Sequence, residues 1–212
     1  MPATNQTAEN AKTRRGRPTA LYAQQKMAAV LKAAREQFIL NGYRATTMEA
    51  IALQAGVSKR TLYFWHADKA ALFLACTLEG SRQLPQPEPG PRHDIGKGLK
   101  DYAARLIARL SSDDNYGMAQ LLAREGRDFP ELADAVRHGH DVYLVQPLAE
   151  FLKLHGFESA HAHNAAHLFI AMALAEIDRA ILLAQPIPTP REIADHADFV
   201  TNIFLFGCLG RQ

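Results

Sequence analysis

Within Val57–Phe73, VSKRTLYFWHADKAALF, a short run crowds together Ser58, Lys59, Arg60, Thr61, Tyr63, Phe64 and Trp65. These side chains suit one chemistry well. A guanidinium can bond guanine bidentately, threonine and aromatic groups can meet a thymine methyl, and Ser, Lys and Tyr can reach phosphates. Helical phase makes the set usable. With Leu62 at the centre of a buried face, about 100° per residue turns Arg60, Thr61, Tyr63 and Phe64 outwards and leaves Lys59 at the flank. A solvated helix seldom exposes two aromatics side by side.

The elements that would position this face are legible around it. Met27, Val30, Leu31, Ala34 and Phe38 recur at helical spacing, and Gly42 can close that helix in a left-handed conformation. Thr46 or Thr47 can cap a second helix from Met48 to about Ala55, Thr46 having Glu49 in capping-box position. Gly56 opens a tight turn, Ser58 caps a third helix from Lys59 to about Trp65, and Asp68 caps a fourth to about Gln83. Two short helices joined by a glycine turn form the pattern of a helix-turn-helix, which by itself fits an ordinary helical corner equally well.

Charge favours the nucleic-acid reading. Residues 1–83 hold 12 Lys/Arg against 5 Asp/Glu, whereas residues 84–212 hold 12 against 17. A basic first part joined to an acidic remainder points to a polyanion met by the first part alone. The Pro-rich stretch LPQPEPGPRHD, residues 84–94, falls where the sign changes and marks a boundary between a head, 21–83, and a body, 84–212. The body reads as helices near Ile95–Leu110, Tyr116–Arg124, Glu131–His155, Ser159–Ala184 and Arg191–Phe206, making about nine in an all-α chain.

The run Met27–Phe73 resembles the DNA-binding domain of the TetR family of transcriptional regulators, through NGY-x-x-T-T, IA-x-x-AGVS and TLY followed by K-x-ALF. The resemblance implies a homodimer with a three-helix DNA-binding head, a connecting helix and a ligand-binding body. It also implies phosphate contacts for Thr47, Tyr63 and Lys69, and groove contacts for Ser58, Lys59, Arg60 and Thr61. The chain departs from the family at Phe64-Trp65-His66-Ala67, where His66 occupies a position usually filled by a core aromatic. Trp65 either supplies core bulk or offers its indole N–H to a phosphate; partial burial with one edge at the DNA backbone is the reading adopted.

Upstream, TRRGRPTA carries an Arg-Gly-Arg-Pro core suited to a narrow minor groove, which assigns Arg14, Arg15 and Arg17 to DNA and makes residues 1–20 an arm disordered in its absence. The last two helices are apolar on more than one face and so must be covered on more than one side; the resemblance implies that those of a second subunit cover them, spacing two heads for a near-palindromic operator. The function implied is a repressor released by an unidentified small-molecule effector; an architectural A·T-rich DNA binder without effector is the alternative. Catalytic motifs are absent, so no enzyme is expected. No cofactor, membrane segment or metal site is expected either, His161, His163 and His167 reading as a solvated face despite an i, i+4 pair. Two distant cysteines suit a reducing cytoplasm.

Overall fold

The computed structural model describes residues 20–88 and 94–207, so the arm carrying Arg14, Arg15 and Arg17 lies outside the described residues. Every regular element among them is helical. In chain order these are α1 (Ala20–Ala45), α2 (Met48–Gln54), α3 (Lys59–Trp65), α4 (Lys69–Arg82), α5 (Ile95–Leu110), α6 (Asp113–Glu125), α7 (Pro130–His140), a π turn (Asp141–Val145), α8 (Gln146–Leu154), α9 (Ser159–Leu182) and α10 (Pro190–Phe206). Because α7, the π turn and α8 are continuous, the described residues make nine helical runs. None is long and apolar enough to cross a membrane.

The caps explain the boundaries. Gly42, at φ 81°, kinks the end of α1. Thr47, rather than Thr46, caps α2, its side chain accepting from Ala50 N–H. Thr46 instead donates its hydroxyl to the carbonyls of Gly42, at 2.7 Å, and Gln37, at 2.9 Å, satisfying groups left over where α1 ends. Ser58 and Asp68 cap α3 and α4 as their positions foretell. The expected helix Glu131–His155 forms, but with a π turn inside it. Pro147 has no N–H to offer the Tyr143 carbonyl, which accepts the Gln86 side-chain amide at 3.2 Å instead.

Two main cores result. One lies within the body and unites α5, α8, α9 and α10 around Tyr102, Leu106, Leu148, Phe151 and Phe169. The other joins the head to the body: Val30, Phe38, Tyr43, Ile51, Leu62, Leu72 and Phe73 share a cluster with Leu121 of α6 and Leu132 and Ala135 of α7. Packing therefore crosses the Pro-rich stretch that separates head from body in sequence.

Candidate nucleic-acid interface

The helix α3 is held by one fully buried side chain, Leu62, while its opposite face stays open. Phe64 is 85% exposed and Tyr63 46% exposed, beside an exposed Arg60. Among the described residues Arg60 forms no hydrogen bond or ion pair. Lys59 reaches Glu49 of α2 at 3.3 Å in an exposed pair of the kind worth little, so its ammonium can exchange that carboxylate for a phosphate. Ser58 is partly committed, since its Oγ accepts from Thr61 N–H at 3.0 Å and lies 2.7 Å from Thr61 Oγ1. Thr47 is likewise occupied as the cap of α2. The structure thus brings Ser58, Lys59, Arg60, Thr61, Tyr63 and Phe64 onto one short helix, with Thr47 at the start of its neighbour.

Lys69 is held by the fold itself. Its ammonium donates to the carbonyls of Tyr43 at 2.6 Å, Thr46 at 3.0 Å and Arg44 at 3.3 Å, and lies 4.5 Å from the Tyr43 ring centroid. Three donors meet three acceptors. Burial lowers its pKa, against the pull of Glu125 and Glu131. Lys69 therefore closes the end of α1, and its three hydrogens are already engaged when a phosphate would arrive.

Trp65 is half-buried and packs against the head core, with part of the ring lining an open cleft of about 720 Å³ bounded mainly by α1. It faces inwards beside His66, whose Nε2 is buried without a partner among the described residues. Burial holds the His66 pKa below its ordinary 6.5. Since the unfolded chain then binds the proton more tightly, stability falls as pH drops below about 6.5 and levels off beneath the folded-state pKa. Substituting His66→Phe is expected to flatten that slope between about pH 7 and 5, read as urea midpoints across the range. Equal slopes in both proteins would place the acid sensitivity elsewhere.

Several residues that hold this site have no local sequence signal. The Tyr43 hydroxyl donates to Glu131 at 3.2 Å across 88 positions, and its ring meets Phe129 edge-on at 4.9 Å. Burial and the Glu131 charge raise the Tyr43 pKa, so the phenol stays protonated and can keep donating. Arg44 donates its N–H to Glu125 at 3.0 Å and pairs with Asp128 at 2.8 Å. The turn leading into α2 is therefore fastened to α6 and α7. A smaller cavity of about 160 Å³ lies behind it, lined among others by Phe73, Cys76, Gly80, Met118, Leu122 and Val136. Burial pushes the Cys76 thiol there up to about 12, leaving it un-ionised at neutral pH.

An all-helical chain whose short third helix presents a basic, aromatic face is a helix-turn-helix DNA-binding protein. Residues 30–76 match the family of bacterial regulatory proteins, tetR family. Over residues 30–76 the chain therefore carries a DNA-binding domain of that family. A curated relative, the uncharacterized HTH-type transcriptional regulator YdeS of Bacillus subtilis (strain 168), is 35% identical over 98 residues, 44% of this chain and 46% of that protein. The match spans about half of that relative's length. Among solved structures, one assigned to a TetR-family transcriptional regulator from Mesorhizobium loti is similar at TM-score 0.71 and 26% identity, covering 86% of this chain and 96% of that one. The flavonoid-responsive regulator FrrA is similar at 0.68 and 28%, with the same coverages. FadR from Bacillus subtilis, in complex with stearoyl-CoA, shares the fold at 0.66 and 18% identity, over 85% and 98% of the two chains.

Proposed function

We propose that the protein is a repressor that binds a near-palindromic operator as a homodimer and leaves it when a small molecule occupies the body. The observation that carries this reading is the open face of α3, where Phe64, Tyr63 and Arg60 stand exposed beside Lys59 while Leu62, with Trp65 beside it, anchors the helix. We assign Arg60 and Thr61 to base edges and Lys59, Tyr63, Ser58 and Thr47 to phosphates and sugars. Phe64 suits a thymine methyl. Trp65 contributes bulk to the core and at most an edge to the backbone. The arm residues Arg14, Arg15 and Arg17 are assigned to an adjacent minor groove on their sequence alone.

Dimerisation through α9 and α10 is supported by the apolar groups these helices leave uncovered, among them Leu168, Leu182 and Phe199. A second copy would cover them by an isologous contact. Effector response is supported by the smaller cavity, which lies against α4, the helix that carries the head. At about 160 Å³ it is below the ~300–1,000 Å³ of an ordinary ligand site, so an occupant must spread α4 from α6 and α7. That spreading would alter the separation of the two heads and so shift the population away from the DNA-binding shape. An apolar molecule fits this lining. FrrA, which is named for a flavonoid response, sets a precedent in a similar chain. Catalysis has no part in this reading.

Selection of bound duplexes from a random pool by the full chain, at fixed salt, tests it. The expected product is an imperfect palindrome with half-sites about one turn, roughly 34 Å, apart or somewhat more, bound with an affinity that falls steeply with salt. Removing residues 1–20 should weaken binding yet keep the sequence preference. No preference over random DNA would end the specific-regulator reading. Preference lost together with the arm would favour an architectural A·T-rich binder.

A further inference from the structure

The π turn that interrupts the run from α7 to α8 begins at Asp141, and Asp141 faces α9. A π turn holds one more residue than an α turn and re-aims the side chains that leave it. Here it sets the Asp141 carboxylate 3.8 Å from His163 Nε2. His163 and His167 are one helical turn apart on α9, with ring centroids 4.9 Å apart and ring planes at 77°. One ligand atom from each of Asp141, His163 and His167 lies within 4.8 Å of the other two. The His140 ring stacks on His167 at 5.6 Å and restricts its swing.

We infer that Asp141, His163 and His167 form a three-ligand site for a divalent late transition metal such as Zn2+. Two imidazoles and a carboxylate on one side, with solvent on the other, leave room for water to complete the coordination. Metal–ligand bonds of about 2.0–2.2 Å require the three donor atoms to close together by roughly an ångström, which exposed side chains achieve by small χ rotations. His161 is not part of the set, because its Nδ1 lies 3.1 Å from Glu158 on its own helix. The ligands come from two elements. An ion there would brace the π turn against α9, and α7 runs from that turn along α4, beneath the head.

Calorimetric titration of Zn2+ into the full chain tests the site. One saturable site per chain is expected, with a rise in Tm on metal addition because the ion binds the folded state preferentially. Loss of one ligand in His163→Ala, His167→Ala or Asp141→Asn should weaken binding at least about tenfold, since even second-shell changes cost that much. His161→Ala should bind like the parent. All four positions are exposed, and unchanged far-UV circular dichroism checks each fold. Absence of saturable binding, or affinity that survives removal of any ligand, would overturn the assignment and leave an exposed His–Asp contact.

Discussion

Phe73→Ala is expected to lower the stability of the chain by about 3–5 kcal/mol, read as a shift in urea midpoint. The ring is 1% exposed and touches Phe38 at 5.4 Å and Tyr43 at 5.7 Å, both edge-on. Tyr43 in turn meets Phe129. Truncation therefore opens a void where α1, α4 and α7 converge, and it removes aromatic contacts worth about 0.5–1.5 kcal/mol each beyond their buried area. Against a typical total of roughly 5–15 kcal/mol, this is enough to depopulate the folded head at moderate temperature. DNA binding should fall with the folded fraction. A loss under about 1 kcal/mol would mean that the head core is held chiefly by other contacts.

Lys69→Met and Arg60→Ala are expected to separate stability from recognition. Methionine keeps the stem of Lys69 but strips three donors from the carbonyls of Tyr43, Arg44 and Thr46. Buried acceptors left unpaired cost about 1–3 kcal/mol, and these are part-buried or exposed, so the variant should unfold earlier by up to about that much. Its affinity for DNA per folded molecule and its salt slope should stay close to the parent's, because the ammonium already serves the protein. Arg60→Ala should do the reverse. With no partner among the described residues, Arg60 can be lost at almost no cost to the fold. On the proposed interface its removal weakens operator binding by about 1–3 kcal/mol, or roughly 5–150-fold, and relaxes preference at one position. A shallower salt slope in Lys69→Met, with stability intact, would return that residue to the phosphate backbone.

Local signals proved sufficient where the physics is local. The bounds of α3 and α5 agree with expectation because Ser58 and Asp94 are side-chain caps lying directly before apolar-periodic runs. The start of α6 comes three residues earlier than expected. Asp113 and Asp114 read as loop residues in SSDDN, yet in a first turn their charge suits the helix dipole. Thr46 illustrates the same limit. Its spacing to Glu49 matches a capping box, but its hydroxyl is drawn to the carbonyls where α1 ends. Met118 and Leu122 line the small cavity, while Leu121 and Phe151 lie in the cores, a division that helical spacing alone does not make.

The amino-acid order by itself determined the helices, the glycine turn between α2 and α3, the polarity of the α3 surface and the family. Each depends on groups within one or two turns of one another, where helical phase converts spacing into position. Tertiary structure alone decided what Lys69, Tyr43 and Asp141 do. Lys69 serves carbonyls 23 to 26 positions away, and Tyr43 donates across 88. Asp141 meets His163 and His167 only because a π turn re-aims it towards another helix. No periodicity encodes such meetings. They follow from which faces the cores bring together, and they separate side chains left open to solvent from those the fold has already engaged.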